Sequence, residues 1–370
     1  MFKKAINITL GFFVLLAALP LLQVVFKPFK LVGLNGAFEV TIPPNYSFQN
    51  LVTGKYQQHA ELYIKDNAPF KGDLVRFRNQ LNYFTFNEIN TNLMLGKENY
   101  IFDPNYLLAL EGKDQHSDSL FQANTFAFEK AIEELAELKI PLFVVFTPNK
   151  AAYYKEKLLV EPFHANHTNA NGYANLIQKN KVYFFDVNDW FLSIKDTSQF
   201  PLIPKYGAHW STYGAWLAAD SFTRQLHSNG ILTPKASLQK TEFSQTARFT
   251  DDDYLPSLNL IWRWDSPELA YPILGFEPNA KPDILVISDS YFWNFYDLGF
   301  MEHVFGPKSQ LWYYNKTKYN FKREKIGDCS ERITQNELKQ FKAIIFMSAH
   351  PSLNNFSFGF FNQLNASRNE

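Results

Sequence analysis

One stretch limits every reading of this chain: Ala5 to Phe26, AINITLGFFVLLAALPLLQVVF, is apolar almost without interruption. About 20 such residues cross the hydrocarbon core of a bilayer as a helix. Lys3 and Lys4 stand before the run, and Lys27 and Lys30 come after it. A secretory signal carries a shorter apolar region and small residues at its cleavage site, and no such site is present here. Pro20 is tolerated in a membrane helix. The run is therefore expected to be an uncleaved anchor, with lysines at both ends leaving its orientation open. The chain has no second run of that length, so its remainder is expected on one side of the membrane.

Composition narrows the classes further. The 36 basic and 36 acidic side chains cancel. Phosphate recognition needs a cationic surplus, so nucleic acid is not an expected partner. At 46% hydrophobic the chain is too apolar to be disordered. The single cysteine, Cys329, excludes an intrachain disulfide framework and a Cys-based zinc site. Phe, Tyr and Trp make up 17% of the residues. Most such rings fill a core, though Tyr and Trp also form flat platforms for sugars.

After an anchor at 1–30, residues 31–54 read as a stem. Leu31 to Thr41 reads as a short hairpin, ended by Pro43 and Pro44. Residues 55–370 then form the main folded region. Gly54 to Tyr83 alternates charged and apolar residues at helical spacing, and Gly96 to Phe102 is a turn leading into a strand. Ser119 to Leu138 is an amphipathic helix, with Phe121, Phe126, Phe128, Ile132 and Leu135 as its apolar residues. Ile140 to Phe146, Val182 to Val187, Ile284 to Ile287 and Ala343 to Met347 are apolar runs, as expected of strands buried on both faces. Strands alternating with helices predict an α/β fold, a mostly parallel sheet flanked by helices.

Two segments carry chemistry. In PDILVISDSYFWNF a buried strand runs into Ser288-Asp289-Ser290. A serine at the carboxyl end of a parallel strand faces the crevice where such sheets bind ligands. A helix starting there would turn backbone N–H groups toward a developing oxyanion, although a capping Ser or Asp at a strand–helix turn has the same sequence. In KYGAHWSTYGAWLAAD, Ser211 is a helix N-cap and His209 precedes it. A helix N-terminus disfavours imidazolium and keeps a base neutral. Gly214, Ala215, Ala218 and Ala219 let that helix pack closely. A serine hydroxyl becomes a nucleophile when histidine takes its proton, and a third group orients the imidazole. No third group is evident from these segments.

These residues resemble the AlgX/AlgJ-type polysaccharide (alginate) O-acetyltransferases, which carry an SGNH hydrolase-like domain. That family places a D-x-H-W segment before a G-D-S-like serine segment. Gly207-Ala208-His209-Trp210 and Ser288-Asp289-Ser290 stand in those places. Gly96 to Phe102, Phe146-Thr147-Pro148-Asn149-Lys150-Ala151 and Leu311 to Asn315 are similar to three further family stretches. The resemblance runs from about residue 55 to the C-terminus.

The resemblance implies an SGNH hydrolase-like domain over 55–370, preceded by one transmembrane helix. It implies Ser290 and His209 as catalytic residues, supported by Tyr206, Trp210, Asp289 and Asn315. It implies acetyl transfer to hydroxyls of an exported polysaccharide, with the acetyl group delivered by a membrane-bound O-acyltransferase. The place would be the bacterial inner membrane, with the catalytic domain in the periplasm, and no cofactor or metal is expected. A carbohydrate esterase with water as acceptor, or a non-catalytic glycan-binding subunit, remain the alternative readings. Gly207 stands at the family's aspartate, so the site is either a dyad or takes its orienting group from elsewhere. Ser288 likewise replaces the glycine of G-D-S.

Other polar clusters read more plainly. Glu161, His164 and His167 have metal-like spacing but lie in a polar Pro- and Asn-containing loop. Asp251-Asp252-Asp253 lacks the alternation of a calcium loop and reads as a charged loop. Asn294 and Asn315 carry amides of the kind that stabilise an oxyanion.

Overall fold

The four apolar runs become neighbouring strands in the computed structural model, which describes residues 2–36, 41–163, 165–231, 233–330 and 332–366. By contact the chain divides into two units, Met1–Thr91 with Leu255–Trp264, and Asn92–Tyr254 with Asp265–Glu370.

In the first unit, α1 (Phe2–Phe26) contains an apolar span, Ile6–Phe26, of mean hydropathy 2.4. It is long and apolar enough to cross a membrane. The helical spacing over 54–83 resolves into α2 (Lys55–Asn67) and α3 (Lys71–Phe86). The break falls at Ala68-Pro69-Phe70, because a residue before proline is pushed out of the helical region and Ala68 is extended at ψ 130°. Side-chain amides stitch α3 to the 255–264 segment: Asn79 Nδ2 donates to the Leu258 carbonyl at 3.0 Å, and Gln80 Oε1 accepts from the Trp262 N–H at 2.9 Å. Residues 31–36 contain no strand, and residues 37–40 of the expected hairpin lie outside the described residues.

The second unit is built on a seven-stranded sheet. Its strands are β1 (Leu142–Thr147), β2 (Tyr183–Asp186), β3 (Ile284–Ser288), β4 (Gln310–Tyr313), β5 (Thr317–Asn320), β6 (Lys325–Asp328) and β7 (Ala343–Ala349). Their order is β6-β5-β4-β3-β7-β1-β2. The pairs from β4 through β2 are parallel, and β5 and β6 extend the edge in antiparallel fashion. The fold is mixed α/β, as expected.

The period-2 geometry of strands explains why the central runs are continuously apolar. Phe143, Val145, Val286, Ile345 and Met347 face one core, which α6 (Thr212–Ser228) covers with Ala215, Ala218, Ala219 and Phe222. The alternate residues, among them Val144, Leu285, Ile287, Ile344 and Phe346, pack on the opposite face. That face is covered by α4 (Asp118–Glu137) and α5 (Asn169–Lys179). Phe126 departs from the apolar side expected of α4 and is exposed, because two residues turn a helix by about 200° and set it opposite Phe128. Ser117 caps α4 and Ser211 caps α6, each accepting a backbone N–H of the first turn. Gly214 permits the close approach of α6, since a Cβ there would strike the Leu202 carbonyl.

Candidate active site

β3 and β7 are adjacent parallel strands, and a single carboxylate ties their ends together. Asp289 accepts the Ala349 N–H at 2.7 Å and the Tyr291 N–H at 3.2 Å. It is fully buried, and that burial raises its pKa. Ser290 therefore leaves the carboxyl end of β3 on a fixed turn. The chain continues as a 3-10 turn, Ser290–Phe292, and the helix expected after the serine starts only at Trp293 and is short, Trp293–Asp297.

His209 lies on the loop before α6, and polar groups hold that loop from both sides. Lys150 Nζ donates to the Lys205 and Gly207 carbonyls at 2.9 and 2.7 Å. The Tyr254 N–H donates to the Tyr206 carbonyl at 3.1 Å. The Ala208 N–H donates to Asp253 Oδ1 at 2.8 Å, and its carbonyl accepts from the Tyr291 hydroxyl at 3.1 Å. Trp210 is buried behind the histidine and donates from Nε1 to Asn294 Oδ1 at 3.0 Å.

These constraints bring three side chains into line. His209 Nε2 lies 2.8 Å from Ser290 Oγ, and its Nδ1 lies 2.9 Å from Asp253 Oδ2. A carboxylate only accepts, so Nδ1 carries the proton and Nε2 is left to accept from the serine hydroxyl. The arrangement can lower the cost of deprotonating Ser290 and stabilise the imidazolium that results. It opens into a cleft of about 370 Å³ lined by Tyr254, Tyr314, Asn354 and Asn355 among others.

Asp253 is the group that sequence reasoning missed. The triple aspartate reads as a charged loop because 44 residues separate it from His209, and no spacing rule joins them. Asp251, like Asp253, has a specific partner. Asp251 accepts from Thr212 N and Thr212 Oγ1, both at 3.0 Å, at the first turn of α6. Gly207 was the available clue, since the family's carboxylate is lacking there. The backbone explains why it is lacking: a Cβ on Gly207 would come within 2.6 Å of the Thr250 carbonyl and 2.8 Å of Pro204 Cγ.

The other expected residues have varied placements. Asp289 holds the turn, and Trp210 packs behind His209. Tyr206 is buried and ties its loop through its carbonyl. Asn315 does not line the cleft; its Nδ2 donates to the Phe358 carbonyl and to Gln363 Oε1. Asn294 is spent on Trp210 and Thr250. It is Tyr314 that lines the cleft together with Ser290. Burial pushes that phenol up to about 12. His164 lies outside the described residues. Among the described residues no three His, Cys, Asp or Glu side chains cluster to hold a metal ion.

Two predictions arise from this scaffold. Burial lowers the Lys150 pKa to about 7, against the opposing pull of Asp253. Lys150→Met removes the donor shared by the Lys205 and Gly207 carbonyls; the Lys205 carbonyl keeps the Ile101 N–H at 3.4 Å, and the Gly207 carbonyl, left buried without this donor, costs ~1–3 kcal/mol. The His209 loop should shift, so kcat should fall ~10-fold with KM nearly unchanged, because small misplacements of a catalytic group are costly. Steady-state kinetics on an acetyl ester checks this.

The second prediction concerns Asp251. Burial raises its pKa from 3.8 to about 7, so the folded state keeps a proton that the unfolded chain releases. Its contribution to stability is present below pH 3.8 and is lost as pH rises through 7. Asp251→Asn removes this titration while keeping an acceptor for Thr212 N. Relative to wild type, the variant should gain thermal stability from pH 5 to pH 8, as read from paired melting curves.

Residues 93–267 match the family model described as the SGNH hydrolase-like domain of acetyltransferase AlgX. That span contains His209 and Asp253 and ends before Ser290. Among solved structures, the O-acetyltransferase domain of Pseudomonas putida AlgJ is 16% identical, with a TM-score of 0.48, covering 75% of this chain and 99% of that one. Pseudomonas aeruginosa AlgX is 14% identical, with a TM-score of 0.44, covering 79% and 70%. Bacillus cereus PatB1 with a sulfonyl adduct is 11% identical, with a TM-score of 0.45, covering 73% and 98%. No curated protein matches the chain in sequence. Over residues 93–267 the chain thus matches the AlgX-type SGNH hydrolase-like acetyltransferase family that its motifs resemble.

Proposed function

We propose that this chain is a membrane-anchored O-acetyltransferase that carries an acetyl group on Ser290 and passes it to a hydroxyl of an exported polysaccharide. The observation that carries the reading is the line of hydrogen bonds from Ser290 through His209 to Asp253, at 2.8 and 2.9 Å, open to a cleft. The family match over 93–267 supports acetyl transfer as the chemistry.

In the first half-reaction His209 Nε2 takes the Ser290 proton as Oγ attacks the acetyl carbonyl. The donor's carbon–oxygen bond breaks, and the proton passes from Nε2 to the departing oxygen. In the second, Nε2 takes the proton of a sugar hydroxyl, whose oxygen bonds to the acetyl carbon. The Ser290 ester breaks, and Oγ regains the proton. Asp253 holds the imidazole and offsets its transient charge. The Ser290 N–H is the donor for the tetrahedral oxyanion, and Tyr314 lines the same cleft. The α1 helix tethers the site to the bilayer, which raises its effective concentration near a donor supplied by a membrane-bound O-acyltransferase. This fits a periplasmic catalytic domain on an inner-membrane anchor.

The test is to incubate the full chain with 4-nitrophenyl acetate and map the acetyl adduct by mass spectrometry. An ester on Ser290 that is discharged by added glycan is the expected result. Acetate release unaffected by glycan would make the protein an esterase, and no adduct on Ser290 would remove the covalent mechanism.

A further inference from the structure

The cleft around Ser290 has a charge pattern that selects among polysaccharides. Its ionisable lining consists of Asp103, Asp289, His209 and tyrosines; among the described residues no lysine or arginine lines it. Asp289 is committed to two backbone N–H groups, while Asp103 is half-buried and caps a helix through Asn105 N at 2.8 Å. The nearby cations face elsewhere. The ammonium of Lys150 is turned to the Lys205 and Gly207 carbonyls, and that of Lys205 lies over the Tyr100 and Tyr206 rings.

The remaining wall is neutral and rich in hydrogen-bonding groups. Ser352, Asn354 and Asn355 come from the segment after β7, and Asn105 joins them in the cleft lining; Asn105, Asn354 and Asn355 are exposed. Tyr314, half-buried, adds a phenol ring, which suits the apolar face of a pyranose. A second cleft, of about 570 Å³, is linked to this wall by the hydrogen bond between His116 Nε2 and the Asn354 carbonyl at 2.7 Å. Its lining includes Gln115, Asn169, Asn171, Asn175 and Gln178, again without lysine or arginine among the described residues.

We infer that the acceptor bound in this cleft is an uncharged glycan, not a polyuronate. The inference rests on the acetyl-transfer reading above and adds the acceptor class. A sugar carboxylate brought to this wall loses water and meets Asp103 with no cation to offset it, which selects against acidic polymers. A neutral sugar exchanges its water for amide and phenol hydrogen bonds at no such cost.

The experiment loads Ser290 from 4-nitrophenyl acetate and then offers two kinds of acceptor. One is a panel of neutral oligosaccharides (β-linked gluco-, manno- and xylo-pentaose); the other is an oligomannuronate of equal length. Acetylated product is read by mass spectrometry. The best neutral acceptor should exceed the oligomannuronate at least tenfold. Asn355→Lys, a change at an exposed position, should raise transfer to the oligomannuronate severalfold. Oligomannuronate transfer equal to or above that of every neutral acceptor overturns the inference. Loading of Ser290 is measured separately, so failure of the acceptor assignment is distinguishable from failure of the covalent mechanism.

Discussion

Ser290→Ala should abolish acetyl transfer, with kcat/KM reduced ~10³–10⁶-fold, the range seen when a nucleophile acting as part of a unit is removed. The fold should persist. Ser290 is only partly buried, and its hydroxyl is hydrogen-bonded to His209 rather than packed in the core. The melting temperature should move by no more than ~4 °C, which corresponds to about 1 kcal/mol for a domain of this size. Mass spectrometry should find no acetyl adduct at this position. If the variant transfers acetyl groups at the wild-type rate, Ser290 is not the carrier and the proposed mechanism fails.

The second large effect is expected at Asp253. Asp253→Asn keeps the size of the side chain and replaces an acceptor oxygen with an amide that competes to donate. His209 would lose the partner that fixes its tautomer, and the analogous change in a serine protease costs about 10⁴ in kcat. A fall of ~10²–10⁴ in kcat with KM little affected is therefore expected. Adding Gly207→Asp to this variant should not restore activity. Its Cβ meets the Thr250 carbonyl and Pro204, and the Thr250 contact is with backbone, so the loop must move before the new carboxylate can reach the imidazole. Recovery in the double variant, measured as kcat, would show that the site accepts its carboxylate from the family's position and would count against Asp253.

The legible and illegible parts of this molecule divide along physical lines. β1, β3 and β7 were readable because both of their faces are buried, which forces an unbroken apolar run. The cap at Ser211 was readable because capping is a local contract between a hydroxyl and the first helical turn. β5 and β6 were not, since Thr317–Asn320 and Lys325–Asp328 are half-buried or exposed and carry neither a continuous nor a clean alternating apolar pattern. The long hairpin of Ala236–Ser244 with Leu269–Phe276 also escaped notice, because the 255–264 segment that interrupts it belongs to the other unit. In the site, Ser290 and His209 each adjoin an element with a strong local signature. Asp253 adjoins none, and only three-dimensional closure brings it to Nδ1. The choice of Tyr314 over its neighbour Asn315 turned on which of two consecutive side chains faces the cleft, a matter of backbone direction after β4.

A carboxylate borrowed from a distant loop changes what evolution and engineering must preserve. A screen keyed to the local tripeptide around His209 would discard this protein as dead. Conversely, a deletion of one or two residues between the end of the Ala236–Ser244 strand and Asp253 would leave serine and imidazole untouched and still silence them. Under the proposed mechanism, the length of that connection is thus as much a part of the catalyst as any side chain.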